Sequence, residues 1–271
     1  MIARFTTLWT ILRISLEERL VYRGDFALGT LMRFLPIVTQ IFLWTAIFSA
    51  VGGKMIAGYT RDDMIAYYLM TMIGRAFSSM PGLATGIARE VREGTIKKYL
   101  IQPIDLISFL LMQRIAHKLV YYGVAAAPFA LVFFLCRGFF PPPPSSEVML
   151  AFAACCIMAF LLGFYIESTM GLIAFWFLEV TSLLFVFNLF TFFFSGHMFP
   201  LDLLPYPWSI IVDSLPLKYL AYFPAAVWLG KVEGDALWMG LAIQAAWLAG
   251  FMLLNRWLFH RGVRRYSGFG G

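Results

Sequence analysis

Long apolar runs separated by short charged stretches dominate the sequence. A helix that crosses a bilayer needs about 20 mostly apolar residues, and runs of at least that length recur from residue 26 onwards. The run 148–195 is too long for one span, and we divide it at the polar tripeptide Glu167-Ser168-Thr169. The pattern therefore predicts an all-α membrane protein with six transmembrane helices, two of them in 148–195 and the others in 26–51, 64–87, 107–136 and 236–259.

Residues 1–25 carry a different pattern, in which apolar residues follow the i, i+3, i+4, i+7 spacing of one helical face. Such a helix, leading into a span, is typical of an amphipathic helix that lies in the cytoplasmic membrane interface. A helix packed on a partner subunit is the alternative. The predicted apolar face consists of Phe5, Leu8, Trp9, Leu12, Leu16 and Leu20.

The composition supports a membrane protein and argues against a soluble one. Of the 271 residues, 61% are hydrophobic and 13% are charged, whereas soluble domains are about a quarter charged. The formal net charge is +6, but the sequence has no basic stripe with interleaved aromatic residues of the kind that binds nucleic acid. We therefore predict the lipid bilayer, and not nucleic acid, as a partner of this chain.

Lysine and arginine are distributed unevenly between the loops. Because cytoplasmic loops of membrane proteins are enriched in these residues, we predict a transmembrane domain 26–259 with the N-terminus and the tail 260–271 in the cytoplasm. The smaller group, on the predicted outer side, is Lys54, Arg61, Arg137, Lys218 and Lys231. The larger, cytoplasmic group is Arg4, Arg13, Arg19, Arg23, Arg89, Arg92, Lys97, Lys98, Arg114, Lys118, Arg256, Arg261, Arg264 and Arg265.

The longest cytoplasmic loop, residues 88–106, is hereafter called the coupling loop. Its charges alternate in sign around Glu90, Arg92 and Glu93, and Gly94 is expected to break the helix that emerges from the second span. Thr95 is expected to cap a short new helix, which Pro103 helps to end. A short charged helix at the membrane surface suits a docking site for a soluble partner, and a merely solvated loop is the alternative.

The outer segment, residues 196–224, is rich in proline and aromatic residues. Proline prevents a continuous helix, and irregular backbone at membrane depth is tolerated only against protein or water. We therefore expect this segment to cover the outer end of a pathway, with an ordinary external loop as the alternative. Its prolines are Pro200, Pro205, Pro207, Pro216 and Pro224, and the aromatic residues among them include Tyr206, Trp208, Tyr219 and Tyr222.

Of the ionisable residues in the predicted spans, Arg33 lies near the start of the first, where its side chain can reach the interface, while Arg75 in the second and Glu179 in the fifth lie deeper. Charged groups in the hydrocarbon are costly and are candidates for functional residues. Arg75 and Glu179 could pair with each other or line a polar pathway.

No motif for catalysis or for a bound cofactor is present. The phosphate-binding pattern G-x-x-x-x-G-K-[ST] is missing, since Gly53-Lys54 is followed by Met55. The three histidines, His117, His197 and His260, lack the spacing of metal ligands. We therefore predict no catalytic residue, no metal site and no cofactor in this chain.

Two motifs resemble those of ABC-2 type permeases, the membrane subunits of bacterial ABC exporters. The run Arg89-Glu90-x-x-Glu93-Gly94-Thr95, with Pro103 eight residues later, is similar to the family's cytoplasmic loop between spans two and three. The outer segment is similar to the family's segment before the last span. Its matching pairs are Ser195-Gly196, Phe199-Pro200, Leu204-Pro205 and Leu215-Pro216, while Tyr222-Phe223-Pro224 and Leu229-Gly230-Lys231 resemble a subfamily without an agreed substrate.

The resemblance implies a transmembrane permease subunit of an exporter in the bacterial cytoplasmic membrane. A separate ATPase, which would bind the ATP and magnesium, would dock on the coupling loop at Glu90, Arg92, Glu93, Gly94 and Thr95. A second permease, identical or homologous, would complete the pathway, and the outer segment would be re-entrant. Alternatives of other classes are a membrane enzyme acting on a lipid or isoprenoid substrate, and a non-transporting scaffold for an ATPase.

Overall fold

The computed structural model describes residues 2–20, 35–177 and 179–266, which form an almost entirely helical protein without β-strands. Short 3-10 turns lie at Arg137–Phe139, Ile173–Phe175, Leu201–Leu203 and Pro216–Leu220. The helices are α1 (Ile2–Leu20), α2 (Leu35–Ala50), α3 (Arg61–Ser78), α4 (Leu83–Arg92), α5 (Lys97–Leu100), α6 (Leu106–Leu135), α7 (Ser146–Leu172), α8 (Thr181–Phe194), α9 (Trp208–Asp213), α10 (Tyr222–Trp228) and α11 (Gly234–Arg265).

Helix α6 organises the first of two compact units, residues 1–39 with 95–138. The helix begins after Asp105, whose carboxylate accepts hydrogen bonds from the backbone N–H (2.8 Å) and the hydroxyl (2.6 Å) of Ser108. Such a cap satisfies backbone donors that the first helical turn leaves unpaired. Helix α1 packs along α6, and the rings of Tyr99 and Phe109 lie 5.2 Å apart at the junction of α5 and α6.

Helix α7 is central to the second unit, residues 40–94 with 139–271, where it contacts α3, α4, α10 and α11. Two glycines permit close approach. A Cβ atom on Gly163 would lie 2.2 Å from the carbonyl oxygen of Ser78, and one on Gly171 would lie 2.8 Å from that of Ala84. Small residues at helix crossings let the backbones pack closely, so α7 approaches the backbones near the ends of α3 and α4 at these two glycines.

Two fully buried amide side chains hold α11 in this unit. Asn255 donates hydrogen bonds to the hydroxyls of Ser168 (2.8 Å) and Thr169 (3.1 Å), and Gln244 donates to the carbonyl of Cys155 (3.1 Å). Interhelical hydrogen bonds of this kind are common between membrane helices, at about 0.6 kcal/mol each on average. They fix the register of α11 against α7.

Several helices have the length and composition of membrane spans. Within the described ranges, Leu106–Leu135, Ser146–Phe175 and Gly234–Arg265 are long and apolar enough to cross a membrane, and Leu35–Ala50 and Thr181–Phe194 are shorter apolar helices. A helical protein with several membrane spans is therefore confirmed. The number of six spans and the interfacial position of α1 stay predictions, because residues 26–34 and the side chains of Phe5, Leu8 and Leu20 lie outside the described residues.

The predicted break at Glu167-Ser168-Thr169 is wrong. Helix α7 continues through these residues to Leu172, and the chain leaves the helix only between residues 176 and 180. The hydroxyls do not disrupt the helix because they bond within the bundle. Ser168 donates to the carbonyl of Tyr165 (3.3 Å) and accepts the hydrogen bond from Asn255.

The predicted second span, 64–87, consists of two helices. Helix α3 ends at Ser78 and α4 begins at Leu83. Between them, Pro81 cannot donate a backbone hydrogen bond, and Gly82 has a left-handed φ of +72°. This proline-glycine pair separates α4, which leads into the coupling loop, from the rest of the span.

Candidate functional site

The C-terminal end of α4 presents an exposed charged surface. The helix ends at Arg92, its cap residue is Glu93, and Gly94 follows with φ of +74°. This confirms the expected helix break at Gly94, since a left-handed residue terminates a helix most easily as glycine. The side chains of Arg89, Arg92 and Glu93 are exposed.

A short helix follows the break, as predicted, but it begins differently. Helix α5 is capped at Ile96 and not at Thr95, and its cap has no side-chain hydrogen bond. Ile96 is completely buried, whereas Thr95 is exposed. Burial of Ile96 therefore anchors the start of α5, and the helix ends at Leu100, ahead of Pro103.

Glu179 lies just before the first residue of α8, so its predicted position a third of the way along the fifth span is wrong. The break between α7 and α8 follows residue 175, so Glu179 precedes the first residue of α8. Its side chain is 65% exposed. One carboxylate oxygen accepts a hydrogen bond from the backbone N–H of Thr181 (2.8 Å), and the other accepts one from Arg92 (3.3 Å). The bonds from Thr181, and secondarily Arg92, lower the pKa of Glu179.

A cleft of about 400 Å³ lies beside this ion pair. Its walls combine one side of α4 with the first turn of α8. The guanidinium groups of Arg89 and Arg92 and the carboxylate of Glu179 give it both signs of charge. The lining residues are Gly82, Thr85, Gly86, Ala88, Arg89, Arg92, Glu179, Val180, Thr181 and Leu184.

The outer segment is folded into the second unit. It contains a 3-10 turn, α9, a second 3-10 turn and the start of α10. Tyr219 and Phe223 stack edge to face at 5.1 Å and pack in a buried cluster with Leu162 of α7 and Leu237 of α11. Of the residues selected from the sequence, Ser195, Gly196, Pro200 and Pro216 are buried, and Pro205 is exposed.

Asp202 ties the outer segment to the start of α3. Its two carboxylate oxygens accept hydrogen bonds from the hydroxyls of Tyr59 and Tyr222, each at 2.6 Å. Tyr59 is 1% exposed, and burial, followed by the bond to Asp202, raises its pKa well above the ordinary value. The hydroxyl therefore stays a donor at neutral pH. Lys231 lies 4.7 Å above the Tyr59 ring and bonds to the Asp63 carboxylate (3.3 Å).

Deeper along α3, the same segment is held twice more. The hydroxyl of Tyr67 donates to the carbonyls of Gly196 and Phe199, the latter at 3.3 Å. Arg75 contacts the ring nitrogen Nε2 of His197 at 2.7 Å. Arg75 lies about 21 Å along the axis from the start of α3 at Arg61, so the outer segment follows α3 for most of its length.

Arg75 and Glu179 thus have different partners. Arg75 is an exposed residue, and its guanidinium contacts the buried His197 and lies 5.9 Å from the centre of the Phe192 ring. Glu179 contacts Arg92 and Thr181. The sequence left open whether Arg75 pairs with Glu179. In the structure each of these residues has separate partners instead.

Sequence reasoning missed the residues that fasten the outer segment, namely Asp202, Tyr59, Tyr67 and His197. One signal was available, since Tyr59, Tyr67 and Arg75 recur every eight residues, and Asp202 is one of two acids in the apolar, proline-rich outer segment. His197 offered no such signal, because its role depends on a contact across 122 residues of sequence.

The chain is similar to a known protein family. A family described as ABC-2 family transporter protein matches residues 34–270, which include the coupling loop, Glu179 and the whole outer segment. No curated protein matches the chain.

Proposed function

This chain belongs to the ABC-2 transporter family, and from that premise we propose that it is the permease of an exporter driven by a separate ATPase docking on the coupling loop. Membership in the family makes it the transmembrane permease component of an ABC transporter, which associates with ABC ATPase subunits and is not itself catalytic. The proposal adds the direction of transport, the docking site and the partners.

The observation that carries the docking proposal is the exposed end of α4. Arg89, Arg92 and Glu93 project there beside the left-handed turn at Gly94, within the run that resembles the family's coupling loop. An exposed ion pair or single charge adds at most about 1 kcal/mol to stability. A charged surface that stabilises the fold so little is well suited to bind a partner.

The test is a charge reversal at Glu93. Truncating one partner of a buried charge pair at an interface costs about 2–5 kcal/mol of binding free energy. We therefore expect Glu93→Lys to insert normally and to lose most of the ATPase on copurification. Glu147→Lys, an equally exposed reversal on the predicted outer side, is the matched control and should retain the ATPase.

Two other results are informative. If Glu93→Lys copurifies as much ATPase as the control and supports the same rate of ATP hydrolysis, the coupling loop is not the docking site. If the wild-type permease binds the ATPase but never alters its rate of hydrolysis, the scaffold alternative replaces transport.

We further propose that the pathway lies between this chain and a second permease, identical or homologous. Helix α8 supports this, because Leu184 is its buried residue while Phe185, Leu189 and Phe193 are exposed. A helix with so many exposed apolar side chains requires either lipid or another protein around it. In this arrangement the outer segment covers the outer end of the pathway, and both termini lie in the cytoplasm of a bacterial cell.

A further inference from the structure

The carboxylate of Glu179 joins two helix ends at the cytoplasmic side. One oxygen accepts the backbone N–H of Thr181 in the first turn of α8, and the other accepts Arg92, the last residue of α4. A carboxylate at a helix N-terminus and a cation at a helix C-terminus both interact favourably with the helix dipoles. Each member of the ion pair therefore interacts favourably with the dipole of the helix end at which it lies.

The other end of α8 reaches the outer segment without a linker. Helix α8 ends at Phe194, and the next three residues include Gly196, bonded to Tyr67, and His197, in contact with Arg75. Fourteen helical residues span about 21 Å. A displacement of the first turn of α8 is thus transmitted along one rigid element to the residues that fasten the outer segment.

We propose that Glu179 is a positioning residue that transmits motion of the coupling loop to α8 and so to the outer segment. The proposal rests on the proposed function, since it assumes that an ATPase acts on the end of α4. Glu179 itself lies outside the predicted docking run of residues 89–95. Its role is to make α8 follow α4.

The exposure of the pair separates this role from a structural one. The side chains of Arg92 and Glu179 are 48% and 65% exposed, and exposed ion pairs contribute little to folding. Loss of the pair should therefore leave the thermal stability of the purified permease unchanged. An effect on coupling with unchanged stability is the signature of a positioning residue.

The experiment uses the permease reconstituted in liposomes with its copurifying ATPase, and measures the permease-dependent change in ATP hydrolysis. Glu179→Gln keeps an oxygen for Thr181 and replaces the one that faces Arg92 with an amide donor. We expect normal ATPase copurification and a loss of about fivefold in that change, the lower end of typical coupling between sites. Glu147→Gln, an exposed acid in the first turn of α7, should behave as wild type.

A double-mutant cycle sharpens the test. Because Arg92 also belongs to the proposed docking run, coupling is measured per bound ATPase for Arg92→Gln, Glu179→Gln and the double variant. If the two residues act through their mutual contact, the double variant should then reduce coupling no further than Glu179→Gln alone. Wild-type coupling in Glu179→Gln, or additive losses in the double variant, would overturn the proposal. Loss of ATPase copurification in Glu179→Gln would also overturn it, by making Glu179 part of the docking surface.

Failure of this inference is distinguishable from failure of the proposed function. The docking proposal fails when Glu93→Lys copurifies the ATPase normally, whereas the positioning proposal fails on the coupling of Glu179→Gln with the ATPase still bound.

Discussion

At the end of α4 the charges of Arg92 and Glu93 lie exposed, whereas in the outer segment the carboxylate of Asp202 is held by two tyrosine hydroxyls. The surface at the end of α4 contributes little to the fold and is available to a partner. The outer segment is fastened to α3 at three levels and packed in a buried cluster. Changes at the first region should therefore alter coupling without unfolding, and changes at the second should unfold the protein first.

The largest expected loss of stability is at Gly196. Its φ is +76°, and an added Cβ would lie 2.6 Å from the Cβ of Tyr222 and 2.8 Å from the Tyr67 hydroxyl. We expect Gly196→Ala to cost about 1–2 kcal/mol for the left-handed backbone and about 1–3 kcal/mol more for the forced repacking. Thermal unfolding of the purified permease in detergent measures the sum.

Gly53→Ala is the matched control for that variant. Gly53 has a φ of +74° but no atom within 4 Å of an added Cβ, so it reports the backbone cost alone. Equal unfolding temperatures for the two variants would show that the outer segment is not packed against Tyr67 and Tyr222 as described.

A smaller effect is expected at Asp202. Asp202→Asn replaces one of the two oxygens that accept from Tyr59 and Tyr222 with an amide donor. Losing one hydrogen bond to a charged group costs about 1.5–3 kcal/mol, which should loosen the segment. External protease should then cut between residues 200 and 224 faster than in wild type, whereas Asp213→Asn, which removes only the exposed partner of Lys218, should be cut at the wild-type rate. Equally slow cleavage of both variants would show that the hydrogen bonds of Asp202 do not fasten the outer segment.

The sequence predicted what depends on local chemistry. Apolar runs located the long helices α6 and α11, because burial in lipid requires about 20 apolar residues wherever the helix packs. Gly94 as a helix break was also predictable, since the preference of glycine for left-handed backbone is a property of the residue.

Contacts between distant residues were not predictable in this way. The tripeptide at residue 167 looks like a turn until Asn255, 87 residues away, donates to Ser168. Glu179 looked intramembrane because the preceding break was misplaced, and its pairing with Arg92 spans 87 residues. In an apolar chain a polar residue marks either a turn or an interhelical bond, and only the packing distinguishes the two.

The smallest loss of stability, with the clearest loss of function, is expected at Gly94. Gly94 has a φ of +74°. In Gly94→Ala, an alanine in this left-handed conformation costs about 1–2 kcal/mol of stability, unless the turn distorts locally to avoid it. Gly52→Ala carries the same backbone cost at φ of +68° with no atom within 4 Å of the added Cβ. Because Gly94 is buried and Gly52 is exposed, the difference between the two unfolding temperatures measures the cost of packing the added Cβ at Gly94. The two variants should differ in copurified ATPase, because only the turn at Gly94 directs the end of α4 and Glu93 toward the proposed docking site. Equal ATPase binding by both variants would show that the geometry of this turn is irrelevant to docking. The contrast between the exposed end of α4 and the fastened outer segment would then have no functional meaning.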